Sequence, residues 1–123
     1  MKALLRKLRR RIAKDYPRRT VSFDQTGFAV VQEEQPTTFM RWADIDTIYT
    51  RKIDLFSCDE VQLGFGQRSS NVVIEVGELH EGFKAFAEEV LQRFESIPKD
   101  WFIDVAFPPF EQKFRILWER NEN

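Results

Sequence analysis

The sequence predicts an α+β fold, in which an antiparallel meander of about six strands is packed by one long amphipathic helix. Residues 79–97 carry apolar side chains at steps of three and four, which is the spacing of one helix face. Six short β-like runs precede this stretch. Twelve of the 123 residues are Phe, so we expect a core built from rings. The apolar positions of the helix are Leu79, Phe83, Phe86, Ala87, Val90, Leu91, Phe94 and Ile97.

The first two predicted strands form a hairpin. Residues 20–24 and 27–32 alternate or are β-branched, and Gln25, Thr26 and Gly27 lie between them as a turn. A third strand covers 37–41.

The Trp42 to Ile45 step precedes a fourth predicted strand at 46–54, and its spacing fits either one helical turn or a bulge. Strands at 60–65 and 71–76 follow, joined by the polar loop 66–70. The connections are too short for parallel crossovers, which favours an antiparallel meander.

The segment after Pro98 is rich in rings and is therefore expected to pack on the domain. Its last part, residues 109–120, fits two patterns. Phe110, Phe114 and Leu117 have helical spacing, whereas Phe114, Ile116 and Trp118 alternate as in a strand.

Residues 1–17 are predicted to form a basic amphipathic helix that precedes a single domain at 18–123. Residues 2–15 place Leu4, Leu5, Leu8 and Ile12 on one side, and the helix ends before Pro17. Such a stripe docks on its own domain, on a partner or on a membrane surface. The residues proposed to meet an anionic surface are Arg6, Lys7, Arg9, Arg10, Arg11 and Lys14.

Charge is divided unevenly along the chain. Residues 1–19 carry net +8 and the whole chain carries −1, so residues 20–123 carry −9. Cys58 is the only cysteine, which excludes an internal disulfide. No apolar run is long enough for a membrane span or a secretory signal, and we expect a cytoplasmic location.

A set of short motifs is spread over residues 20–120: Trp42-x-Asp44-Ile45, Asp54, Glu75, Gly82-Phe83, Trp101, Pro108-x-Phe110 and Leu117-Trp118-x-Arg120. In these motifs the chain resembles a group of small uncharacterised bacterial proteins with a pleckstrin-homology-like (PH-like) arrangement. The resemblance implies a curved PH-like sheet and brings no catalytic residues with it.

The sequence contains no complete catalytic, metal-binding or cofactor-binding motif, so we expect neither an enzyme nor a bound cofactor. His80, the only histidine, is expected at the surface. Asp44-x-Asp46 favours solvated or capping carboxylates over a cation site. Asp54 and Glu75 would matter to acid–base chemistry only if neighbouring strands brought them together.

The leading functional hypothesis is a non-enzymatic module, of immunity or antitoxin type, that binds a basic protein through an acidic surface. The alternative is a peripheral membrane module that uses the basic helix on anionic lipid. Homo-oligomers fit both, and specific nucleic-acid binding is not expected from an acidic domain. The proposed partner-binding residues are Asp44, Asp46, Asp54, Glu75, Glu78, Glu81 and Trp101.

Overall fold

The computed structural model describes residues 18–55, 58–109 and 111–121. The described chain is mostly β, with two antiparallel sheets and two short helices. Its elements are β1 (Arg19–Phe23), β2 (Gly27–Gln32), β3 (Thr38–Arg41), a 3-10 turn (Trp42–Asp44), β4 (Ile45–Asp54), β5 (Asp59–Gln67), β6 (Val73–Gly77), α1 (Phe83–Arg93), α2 (Trp101–Ala106) and β7 (Lys113–Glu119). The predicted basic helix at 2–15 lies outside the described residues.

The first sheet contains β1, β2 and β3 in that order, and the predicted hairpin is confirmed. Its turn closes because one carboxylate oxygen of Asp24 accepts hydrogen bonds from the Thr26 and Gly27 amides at 2.8 and 3.0 Å. Val21, Phe28 and Met40 are buried and turn the same face of this sheet toward the core.

The second sheet has the order β6-β5-β4-β7. The predicted PH-like meander of about six strands in one sheet was therefore wrong. The 3-10 turn at Trp42–Asp44 redirects the chain after β3, and β4 then pairs with β5 and β7 and not with β3. Chain order alone could not reveal the β4–β7 pairing, because two helices separate these strands along the sequence.

Residues 79–82 connect the two sheets before α1 begins. The Glu81 amide donates to the Arg19 carbonyl and the Val21 amide donates to the Glu81 carbonyl, both at 2.9 Å. Gly82 follows with φ of +88°, and a Cβ there would lie 2.5 Å from the Val21 carbonyl oxygen. Only glycine fits this position without strain, and α1 begins at the next residue, Phe83.

The prediction of one long helix over the apolar stretch, from residue 79 to residue 95, was also wrong, because α1 contains only the 11 residues from Phe83 to Arg93. The N-terminal part of the predicted helix is not helical, because Glu81 forms main-chain hydrogen bonds with β1. At its C-terminal end Phe94 leaves the helical conformation. The predicted apolar face is nevertheless turned inward, since Phe86 and Val90 are 0% and 1% exposed.

Aromatic rings fill the space between the two sheets and α1. The ring of Phe86 lies 5.0 Å from that of Phe28 and 5.5 Å from that of Phe65, measured between centroids. Trp42 stacks on Phe86 at 6.1 Å and donates its indole N–H to the Asp24 carbonyl. These rings bury large apolar areas in preferred tilted or stacked geometries, which fixes α1 over the sheets.

Residues 113–119 form strand β7, which decides the ambiguity left by the sequence. Leu117 is an extra residue between the pairs Ile48–Trp118 and Tyr49–Ile116, so the strand bulges there. Arg120 then donates to the carbonyls of Ala43 and Ile45 at 2.8 Å each, which ties the end of β7 to the 3-10 turn.

Candidate functional site

An elongated apolar groove runs along α1 and is bounded on its other side by the start of α2. Its volume is about 1030 Å³. A smaller depression of about 460 Å³ shares Leu91 and Lys99 with it and extends it past the end of α1. The groove is lined by Glu78, His80, Gly82, Phe83, Lys84, Ala85, Ala87, Glu88, Leu91, Lys99, Trp101 and Phe102.

The helical repeat of α1 explains why one face lines the groove while another packs in the core. Phe86 and Val90 point into the core. Phe83, Ala87 and Leu91 lie on the adjacent row at steps of four, and Ala87 and Leu91 remain partly exposed. This second row forms the apolar wall of the groove.

The opposite wall comes from the first residues of α2. Trp101 is 3% exposed and packs edge-to-face on Phe102, with 5.6 Å between ring centroids. Phe102 is only partly buried, so its ring extends the apolar surface. Lys52 on β4 holds the C-terminal end of α2 in place. Its buried side-chain nitrogen donates hydrogen bonds to the carbonyls of Ala106 and Pro108.

Charged side chains border this apolar surface. Glu78 and Glu88 lie at the groove together with Lys84 and Lys99. Glu78 accepts a hydrogen bond from the Val61 amide at 3.1 Å. Glu81 lies just before Gly82 and pairs with Arg18 at 3.0 Å. The groove therefore combines apolar walls with a charged rim that includes several carboxylates.

His80 is buried, which corrects the expectation of a surface histidine. It lies in the turn before α1, where its Nδ1 accepts a hydrogen bond from the Gly77 amide at 3.0 Å. Burial first, and then the charge of Arg19, lowers the pKa of His80 to about 4. The imidazole is therefore neutral at pH 7, and its main-chain hydrogen bond gives it a structural role.

The predicted partner-binding residues do not form one surface. Glu78 and Trp101 line the groove, and Glu81 lies beside it. Asp44 pairs with Arg41 at 2.9 Å, and that hydrogen bond holds the pKa of the Asp44 carboxyl below its usual value. Asp46 faces Arg120 at 3.6 Å, at the opposite end of β4 from the exposed Asp54.

Glu75 belongs to a polar network on the outer face of the second sheet. It accepts a hydrogen bond from the Tyr49 hydroxyl at 2.7 Å and pairs with Arg51 at 2.8 Å. Burial and then this hydrogen bond raise the pKa of Tyr49. Arg51 also donates to Gln62, which donates to the buried carboxylate of Glu60. Each member restrains the next, so the network is suited to holding strands together.

The structure does not bring Asp54 and Glu75 together. In the strand register, Asp54 on β4 lies opposite Asp59 on β5, and Glu75 on β6 lies opposite Gly64 on β5. These two positions on β5 are five residues apart, or about 16 Å. Glu75 already has a cationic partner, so the two carboxylates cannot share a proton as an acid–base pair would.

No group of His, Cys, Asp and Glu residues that could hold a metal ion occurs within the described ranges. The expected anionic-surface residues, from Arg6 to Lys14, fall in the segment 1–17 outside those ranges. Across residues 18–55, 58–109 and 111–121, no helix has the length and apolar character needed to cross a membrane.

Comparison with protein-family models gave no match, and neither curated proteins nor solved structures showed significant similarity to this chain.

Sequence reasoning missed the groove because it assigned the whole apolar face of 79–97 to the core. A signal was nevertheless present. Phe83, Ala87 and Leu91 form one row, and Phe86, Val90 and Phe94 form another, so the apolar face is wider than one core contact requires. Lys99 and Phe102 carried no comparable pattern.

Proposed function

We propose that the protein is a non-enzymatic protein-interaction module whose groove along α1 receives an amphipathic helix with apolar and basic side chains. The observation that carries this proposal is the groove itself, with Ala87, Leu91 and Phe102 partly exposed along one continuous channel. Helices bind such grooves through apolar side chains at helical spacing.

The size and lining of the groove favour a helix over a small ligand. At about 1030 Å³ the groove lies at the upper end of the range of about 300–1,000 Å³ that is usual for small-molecule pockets, and it is open to solvent along its length. Apolar side chains form most of its walls, and His80 in its lining is neutral and hydrogen-bonded within the chain. A row of Leu or Ile side chains has the matching chemistry.

The charge of the domain supports a basic partner. Residues 20–123 carry net −9, and Glu78, Glu81 and Glu88 lie at or beside the groove. Most predicted partner-binding acids away from the groove are already paired with cations of the same chain. Charge complementarity at the rim would therefore orient the bound helix, while the apolar walls supply most of the affinity.

A labelled synthetic peptide with Leu and Lys at helical spacing tests this proposal by fluorescence anisotropy with the full chain. We expect saturable binding that Ala87→Arg weakens by about tenfold or more, because the new side chain fills the groove. The matched control Val73→Arg adds the same charge on the outer face of the second sheet and should bind like the wild type. Equal affinities of the two variants, or equal binding of a peptide with the same composition in alternating order, would contradict the proposal.

A further inference from the structure

Building on the proposed function, we infer that the end of the groove next to the start of α1 is a carboxylate site, which receives the C-terminal end of the bound helix. The carboxylate is either the chain terminus of that helix or an acidic side chain in its last turn. Three kinds of donor point to this site: main-chain amides at the start of α1, the ring of His80 and the side chain of Lys84.

The start of α1 presents main-chain donors that the domain itself does not use. No side chain caps this helix, and its first turn contains no acidic residue. The Phe86 amide donates to the Gly82 carbonyl, whereas the amides of Lys84 and Ala85 have no acceptor among the described residues. Both Lys84 and Ala85 line the groove. Free amides at a helix N-terminus attract anions, because they also carry the positive end of the helix dipole.

The ring of His80 adds a buried donor at the groove. His80 is 6% exposed, lines the groove and lies just before α1. Its Nδ1 accepts a hydrogen bond from the Gly77 amide, so the proton of the neutral ring is on Nε2. Among the described residues Nε2 has no hydrogen-bond partner, yet it is not closed off from solvent. An acceptor on the bound helix can therefore satisfy this N–H without breaking another hydrogen bond.

The charges at this end of the groove suit a single negative charge. Lys84 lies in the first turn of α1, and its side chain is exposed. Glu78 accepts a hydrogen bond from the Val61 amide, and Glu81 pairs with Arg18. A carboxylate would meet the Lys84 ammonium and the free N–H groups, whereas a doubly charged phosphate would be repelled more strongly by the two acids.

The same features set the direction of the bound helix. The last carbonyls of a helix lack partners within the helix and form the negative end of its dipole. This end is attracted by the positive start of α1, whereas the N-terminal end would be repelled. The bound helix therefore runs antiparallel to α1. Farther along the groove and its extension, Glu88 and Glu95 outnumber Lys99, which suits basic side chains on the rest of the helix.

Three Leu/Lys peptides test this inference by fluorescence anisotropy with the full chain. One ends in a free carboxylate, one in a carboxamide, and one in a carboxamide with Glu in the last turn. We expect the free acid or the Glu peptide to bind about tenfold more tightly than the plain amide, because charge-assisted hydrogen bonds are the stronger ones. The tighter of the two identifies the source of the carboxylate.

Two variants assign this preference to the site. Lys84→Ala removes the ammonium, and His80→Asn removes the Nε2 donor while it keeps an acceptor for the Gly77 amide. Each should reduce the tenfold preference to about twofold, with little change in the affinity for the plain amide. The matched control Arg68→Ala removes an exposed cation outside the groove and should keep the full preference.

Equal binding of all three peptides to the wild type, or a preference that neither variant reduces, would overturn this inference and leave the proposed function standing. If no peptide binds, the proposed function fails, and the site is tested separately. The ¹⁵N-labelled full chain is then titrated with sodium acetate against sodium chloride at equal ionic strength. Saturable shifts of the Lys84 and Ala85 amides, weakened by His80→Asn, would support the carboxylate site, and their absence would overturn it.

Discussion

Two adjacent arginines at the start of β1 show how strongly burial changes the contribution of an ion pair to stability. Arg18 and Glu81 pair at 3.0 Å with side chains 67% and 57% exposed. Arg19 and Glu60 pair at 2.8 Å with side chains 16% and 1% exposed. Water screens the first pair, whereas the second leaves an uncompensated buried charge if either partner is removed.

We therefore predict that Glu60→Ala lowers the free energy of unfolding by about 3 kcal/mol. The variant removes the acceptor for Arg19 and for the Gln62 side chain. Glu81→Ala, the matched control, should leave the free energy of unfolding nearly unchanged. Urea denaturation of both variants measures the difference, and similar losses would show that burial of Glu60 has no special weight.

His80 predicts a pH dependence of stability. Its pKa is about 4 in the folded protein and about 6.5 when unfolded. The unfolded state therefore binds more protons between these values, so this stabilising contribution is present above pH 6.5 and is lost as the pH falls toward 4.

The matched variant for this prediction is His80→Asn, which retains an acceptor near the Gly77 amide but does not titrate. Between pH 7.5 and 4.5 the wild type should lose about 2 kcal/mol more unfolding free energy than the variant. Chemical denaturation at several pH values gives both curves. Parallel curves would mean that the pKa of His80 is the same in the folded and the unfolded chain, which would contradict the prediction.

At the scale of secondary structure, two glycines on β5 provide a matched test of how side chains cover the outer sheet face. A Cβ at Gly64 would lie 2.0 Å from the Tyr49 ring, whereas a Cβ at Gly66 would lie 3.8 Å from the nearest atom of Thr47. Both glycines are paired with β4 on the same face. The ring of Tyr49 covers Gly64 and reaches Glu75 from there.

Gly64→Ala should therefore destabilise the fold by about 1–2 kcal/mol, because it displaces the ring and breaks the Tyr49–Glu75 hydrogen bond. Gly66→Ala should be neutral or slightly stabilising, since alanine restricts the unfolded chain. Thermal and urea denaturation of the two variants compare them directly. Equal destabilisation would indicate that strand conformation, and not the ring contact, governs both positions.

Local patterns predicted the strands and the first hairpin because alternation and turn chemistry are properties of neighbouring residues. The ends of α1 were not predictable in this way. Leu79 continues the apolar spacing, yet Glu81 pairs its main chain with β1, a contact about 60 residues away in sequence. The sequence of β7 fits both a helix and a strand, and its pairing with β4 is what makes it a strand.

At the scale of the whole molecule, several residues of the short motifs found in the sequence have architectural roles. Trp42 packs on Phe86, Gly82 permits the start of α1, and Arg120 holds the 3-10 turn. Charge counting predicted an acidic domain, but it could not show that Asp44, Glu75 and Glu60 would be paired internally. The candidate site arises from two elements separated along the chain, so only the folded arrangement, in which residues of α1 and the start of α2 line one groove, reveals it.

The most direct test of the groove as the contact surface is chemical-shift mapping of the ¹⁵N-labelled full chain during titration with the Leu/Lys peptide. The account predicts the largest shifts in α1, at residues 99–102 and around Glu78, with small changes on the outer face around Tyr49 and Glu75. Shifts concentrated on the outer face of the second sheet, with α1 unaffected, would contradict it.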